Sequence, residues 1–98
     1  MDTGENKNPV WELRLGEEVV ATIEVTEQDF PWNFGHISTG ALFEELRHRF
    51  RVYSNPEEAR QAREELRTKQ VSLSPQGGSP VREFTLIVEG NQARLQFV

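Results

Sequence analysis

The side chains able to do chemistry are few and poorly placed for it. His36 and His48 stand twelve positions apart, so the i,i+4 pair of a helical zinc site is absent. Asp29 and His36 could share a loop, but two groups without a third ligand make a polar loop rather than a metal site. The chain has no cysteine, which excludes a thiolate zinc site, a disulfide framework and a cysteine nucleophile. No serine lies in a nucleophile elbow. Gln76-Gly77-Gly78-Ser79 is glycine-rich, yet it leads toward a strand, and a phosphate cradle needs a helix N-terminus behind it. A general acid needs burial to raise its pKa, and the acids inside regular patterns fall on solvent faces. The balance leans away from an enzyme, and no catalytic residue, metal or cofactor is assigned.

Two segments concentrate groups that bind rather than react. Asp29-Phe30-Pro31-Trp32-Asn33-Phe34-Gly35-His36 holds three aromatic rings in eight residues, where connecting segments are normally polar. Read as a loop between the second strand and the first helix, it has two uses. Phe30, Trp32 and Phe34 can fold back and seal the open end of the core, adding several kcal/mol at roughly 25 cal/mol per Å². Alternatively, one or two rings stay exposed to anchor a partner or line a small pocket, with Asp29, Asn33 and His36 giving direction. The expected outcome is mixed: Phe30 or Phe34 buried, and Trp32 partly exposed beside Asn33 and His36. The candidate binding residues are therefore Asp29, Trp32, Asn33, Phe34 and His36. The aromatics on both sides of Pro31 permit a cis peptide, but trans is the expectation. The second segment, Arg47-His48-Arg49-Phe50-Arg51-Val52-Tyr53, interleaves rings with cations in a way that suits a single nucleic-acid strand. Phe50, however, falls on an apolar helical stripe, arginines near a helix C-terminus are favoured by its dipole, and a net charge of -5 repels phosphate. Nucleic acid is the least favoured partner.

Placing these segments requires a core, and 98 residues suit one domain with one core. No apolar run exceeds three residues, so no segment spans a bilayer. The polar stretch Met1–Pro9 excludes a secretory signal and reads as a disordered tail ahead of a single domain over 10–98. A cytoplasmic protein is expected. Charge is polarised along the chain. Residues 1–46 hold ten acids and two bases, residues 47–70 four acids and seven bases, and residues 71–98 two of each.

Alternation marks the strands. Trp11, Leu13 and Leu15 alternate with charged residues, and Val19, Ala21, Ile23 and Val25 form a second apolar face. Pairing Trp11 with Ile23, Leu13 with Ala21 and Leu15 with Val19 requires a three-residue loop, Gly16-Glu17-Glu18. At the other end, a two-residue turn at Gly90-Asn91 pairs Val88 with Ala93, Leu86 with Leu95 and Phe84 with Phe97. Ile87 is apolar on the opposite face, which suggests a loop over it or a sheet covered on both sides. Between the hairpins the period changes. Leu42, Leu46 and Phe50, with Phe43 beside them, give a helix over 41–50 that Ser38 or Thr39 can cap. A second helix starts at the Asn55 cap with Pro56 in its first turn and runs to Lys69. It buries only Ala59, Ala62 and Leu66, a narrow face of mostly small residues. Val71 and Leu73 then form a short strand, and 75–80 a turn or loop.

The order is β-β-α-α-β-β-β. It predicts an α+β domain of two layers, an antiparallel sheet of about five strands with both helices on one face. Trp11-Glu12-Leu13, Thr26-Glu27-Gln28-Asp29-Phe30-Pro31-Trp32, Glu83-Phe84-Thr85-Leu86 and Gly90-Asn91-Gln92-Ala93-Arg94 carry a resemblance. The chain resembles a group of small uncharacterised bacterial proteins. These share a Trp-x-Leu opening strand, an Asp-x-Pro-Trp loop and a closing Gly-x-x-Ala hairpin. The resemblance implies a bacterial cytosolic domain and carries over no functional residue. The leading expectation is a non-enzymatic protein-interaction domain with an unidentified protein partner. One form would be an immunity- or antitoxin-like inhibitor, whose acidic hairpin occupies a toxin's basic site. The alternative is a small-molecule-binding domain or enzyme using loop 29–36, and after it nucleic-acid binding through 47–53.

Overall fold

Six segments join one antiparallel sheet, most of them alternating inward apolar with outward polar side chains. In the computed structural model, which describes residues 8–76, 78–81 and 83–97, they are β1 (Val10–Leu15), β2 (Glu18–Asp29), β3 (Trp32–Thr39), β4 (Val71–Pro75), β5 (Phe84–Glu89) and β6 (Gln92–Phe97). Their order across the sheet is β4-β1-β2-β3-β6-β5. The fold is α+β, with the sheet curled into a half-barrel. The curl brings Trp11 of β1 and Phe97 of β6, three strands apart, to a ring-centroid distance of 4.5 Å. Leu13, Ile23, Leu73 and Leu95 line the concave side together with Phe43 from the covering layer, and all five are almost fully buried.

The sheet has six strands rather than about five, because the aromatic segment expected to be a loop is β3. It pairs along its length with β2 and, over Asn33–His36, with β6. The order is thus β-β-β-α-α-β-β-β. The terminal hairpin has the expected register, with Val88 opposite Ala93, Leu86 opposite Leu95 and Phe84 opposite Phe97. Gly90 supplies the turn with a left-handed φ of 61°. The first hairpin differs. Trp11 and Leu13 face Ile23 and Ala21, but the register then slips, so Arg14 meets Val19 and Leu15 meets Glu18 across a Gly16-Glu17 turn. A bulge absorbs the parity that the three-residue loop was meant to supply. It turns Val20 into the core at 5% exposure and leaves Val19 outside at 40%.

The first helix is also shorter than its stripe. α1 covers only Ala41–Glu44, followed by a 3-10 turn at Arg47–Arg49. Its N-cap is Gly40, without a side-chain bond, while Thr39 Oγ1 instead donates to the Glu44 carboxylate at 2.6 Å. One turn of helix is marginal alone, and edge contacts decide its path. The Phe50 carbonyl accepts from the Val88 N–H at 2.8 Å on the outer side of β5, and Arg47 donates to the Gly90 carbonyl at 2.7 Å. Phe43, Leu46 and Phe50 are the buried residues, Phe43 and Phe50 stack at 5.3 Å, and Leu42 is exposed.

α2 (Pro56–Thr68) begins as expected, with Asn55 accepting from the Glu57 N–H at 2.8 Å. It leads from the segment bonded to β5 to Gln70, whose carbonyl accepts from the Gly16 N–H at 3.0 Å beside β4. The helix therefore crosses the open side of the half-barrel between the two edge strands. Only Ala62 of α2 is buried, with Ala59 and Leu66 half-buried. Val81 bridges Leu73 on the outer side of β4. At the start of the domain, Pro9 is already held, its carbonyl accepting from the Val25 N–H at 2.9 Å. The rest of the expected tail, residues 1–7, lies outside the described residues. Among the described residues no helix is long and apolar enough to cross a membrane.

Candidate functional site

The β2–β3 hairpin outruns its neighbours. β1 pairs with β2 only as far as Glu24, and Pro9 takes the next position at Val25. Among the described residues no strand lies beside the outer side of β2 from Thr26 to Asp29, and β3 enters its ladder with β6 only at Asn33. Residues 26–32 thus form a projecting arm. Its turn contains a cis Phe30–Pro31 peptide, where trans was expected, and Asp29 pairs with Trp32 across it. The arm leaves the sheet at a second bulge between Val25 and Glu27, opposite Gly35. A Cβ on Gly35 would collide with the Glu24 carbonyl, with the carbonyl carbon at 2.8 Å and Val25 Cα at 3.0 Å. Glycine is what lets the two backbones approach there.

Strand geometry separates the expected site residues onto two faces. Ile37 pairs with Ile23, Gly35 with Ala93 and Asn33 with Leu95, so Asn33 belongs to the concave side. Trp32, Phe34 and His36 share the outer face, with Asp29 beside Trp32 at the tip. Phe34 lies opposite Arg94, and Arg94 opposite Ile87, which accounts for that apolar residue on the outer face. The Arg94 guanidinium sits 5.3 Å from the centre of the Trp32 ring, a cation–π contact. His36 lies between Glu24 and Gln92, with its Nδ1 at 3.5 Å from Gln92 Nε2. The expectation that Phe30 or Phe34 is buried fails. Phe30 is 96% exposed, and Trp32 and Phe34 are half-buried. Trp32 is partly exposed as expected, but away from Asn33. The end of the core is closed by Trp11 and Phe97 instead.

A second feature lies where α2 crosses the opening. The narrow face of Ala59, Ala62 and Leu66 does not fill the space against Phe50, Val71, Phe84 and Leu86, and leaves a groove of about 900 Å³. Arg49, Arg51, Arg63 and Arg67 line it beside Tyr53 and Glu83. Arg49 is held by Glu65 at 2.9 Å, and its Nε is buried with no acceptor. The Arg51 guanidinium lies 4.4 Å above the Tyr53 ring. Residues 49–53 of the basic segment therefore belong to this groove, together with α2, while Arg47 is engaged by Glu44 and the Gly90 carbonyl. Sequence reasoning did not join the two, although the thin face of α2 was the available signal.

Among the described residues no three His, Asp or Glu side chains cluster as metal ligands. The exposed Glu44 carboxyl is held down to about 2 from 4.5, first by the hydrogen bond from Arg47 and then by that from Thr39. Such a low pKa suits a structural clasp joining β3, α1 and the β5–β6 turn, since a carboxylate that acidic is a weak base at neutral pH. No family model, no curated protein and no solved structure matches the chain.

Proposed function

We propose that this chain is a non-enzymatic protein-interaction domain that docks through the β2–β3 arm. The observation that carries the reading is Phe30, a large apolar ring almost wholly in solvent at the end of a paired hairpin. Exposed aromatic side chains are the anchors that dominate interface energies. The ladder between β2 and β3 presents the ring on ordered backbone, which reduces the entropy lost on docking. Glu27 and Asp29 flank it, and both are exposed. The arm therefore fits a partner whose apolar pocket has a basic rim. An inhibitor that occupies a toxin's basic site would have this form, with the arm as its plug.

A photo-crosslinking residue placed at position 30, compared with the same residue at exposed Val19, tests the reading in the source cell. Position 30 should give one discrete crosslinked protein that position 19 does not, and Asp29→Lys with Glu27→Lys should remove it. The variant Phe30→Ala should melt within about 0.5 kcal/mol of wild type, as surface changes do. Identical products from both positions, or crosslinking indifferent to the charge reversal, would refute the docking role.

A further inference from the structure

We infer that the groove under α2 is a second binding site, for a small organic anion: a carboxylate on an aliphatic or aromatic body. Its floor is apolar, built by Phe50, Ala62, Leu66, Phe84 and Leu86. At about 900 Å³ it falls within the roughly 300–1,000 Å³ typical of small-molecule sites. The charge of its wall runs against that of the chain. The protein carries -5, yet four arginines face this groove against Glu83 and the Glu65 that holds Arg49.

Most of that positive charge is uncommitted. Arg63 has no ion-pair partner among the described residues, and Arg67 approaches Glu64 only to 3.8 Å, with both side chains about two-thirds exposed. Pairs so exposed contribute little. Arg49 is different. Glu65 fixes its Nη2, while the buried Nε is a donor without an acceptor. That Nε is closed off from solvent, but the Arg49 side chain as a whole is 32% exposed, so a carboxylate in the groove can gain a charge-assisted bond to the guanidinium edge that Glu65 leaves open. The apolar body would then lie on the floor that the small side chains of α2 leave open. A long polyanion fits less well, because the net negative charge of the chain opposes every further phosphate, whereas a single carboxylate meets only the local field.

Decanoate is the probe, titrated into the full chain and followed by amide chemical shifts. Acetate and decanol serve as the anionic and apolar halves. Decanoate should bind saturably, shifting Ala59, Leu66 and Phe84, with both halves weaker by about tenfold or more. Arg49→Gln should weaken decanoate by a similar factor. Arg63→Gln gives a milder loss and serves if Arg49→Gln does not fold. Arg94→Gln on the outer face should change nothing. Decanol binding as tightly as decanoate overturns the proposal, as do shifts confined to the outer face. Saturable binding of an acidic apolar peptide without any of decanoate would also overturn it, in favour of a peptide groove. None of these outcomes depends on Phe30, so this site stands or falls apart from the arm.

Discussion

Gly35→Ala is the sharpest test of how the arm is built. In the native backbone the added methyl would meet no side chain able to rotate away. It would meet the Glu24 carbonyl group, with the carbonyl carbon at 2.8 Å and Val25 Cα at 3.0 Å. Carbon atoms in favourable contact sit about 3.5–4.0 Å apart, so β2 and β3 must separate by roughly an ångström where Val25 pairs with Gly35. Overpacking costs about 1–3 kcal/mol where side chains can adjust. Here only backbone can yield, next to a bulge, which puts the expected loss at about 3 kcal/mol or above. For a domain this size that lowers Tm by roughly 12 °C or more. Gly90→Ala is the control. Gly90 has a left-handed φ of 61° but nothing within 4 Å of an added Cβ, so it should lose only about 1 kcal/mol to backbone strain. Thermal melts followed by circular dichroism compare the two. Amide exchange should show Gly35→Ala opening Glu24 and His36 first, the pair that adjoins Gly35 in the β2–β3 ladder, while Val25 and Ile37 bond Pro9 and Asn91 on the far sides of their strands. A Gly35→Ala variant melting within about 2 °C of wild type, or a larger loss from Gly90→Ala, would refute the close-approach argument.

Two further outcomes follow from the core and from the Glu44 clasp. Phe97→Ala removes a half-buried ring in contact with Trp11 at 4.5 Å, so it should cost about 2 kcal/mol, below the roughly 3–5 of a fully buried phenylalanine; an unchanged Tm would mean that β6 does not close the core. Because the Glu44 carboxyl is depressed from 4.5 to about 2, the stabilisation it contributes is complete above pH 4.5 and is lost as pH falls toward 2. Melts between pH 5 and pH 2 should therefore show wild type converging on Glu44→Gln, by a small and salt-sensitive margin since the group is exposed; a Glu44 carboxyl titrating near 4.5 by NMR would remove the clasp.

The parts of this fold that sequence alone disclosed are those where local pattern and tertiary packing agree. The β5–β6 hairpin has period-2 alternation on both strands, a Gly-Asn turn and a single face that buries Leu86, Val88, Ala93 and Leu95. Asn55 and Pro56 specify a helix start by local hydrogen bonding and a fixed φ. What stayed hidden depended on partners distant in sequence. Trp32, Phe34 and His36 alternate with Asn33, Gly35 and Ile37, but the first set faces outward, so the segment lacks the apolar-in, polar-out contrast that marks a half-buried strand. Leu42, Leu46 and Phe50 describe a good helical stripe that a bond from Val88 and another from Arg47 redirect after one turn. The parity rule for β1 and β2 assumed an unbroken ladder, and the bulge at Leu13–Arg14 broke it. The site residues suffered the same way. Spacing puts Trp32 and Asn33 side by side, and the pleat puts them on opposite faces.

Topology also explains why one small chain presents two surfaces of opposite charge. β1, β2 and β3 follow one another in sequence and lie side by side in the sheet, so the acids of β1 and β2 stay together, and Glu27 and Asp29 are carried out to the end of the arm. The basic residues 47–70 begin where Phe50 meets β5 and end where Gln70 meets β4, so the same connection that must bridge the open half-barrel brings Arg49, Arg51, Arg63 and Arg67 to the opening. Closing that gap with large side chains would add buried area, roughly 25 cal/mol for each Å². α2 offers Ala59 and Ala62 there instead, and leaves the space lined by cations. No residue of the arm lines the groove. A basic protein and an organic anion would therefore be steered to different parts of the molecule, and both encounters would weaken as salt rises. On the two proposals, Phe30→Ala should abolish docking through the arm and Arg49→Gln should weaken anion binding in the groove, without either change touching the other surface.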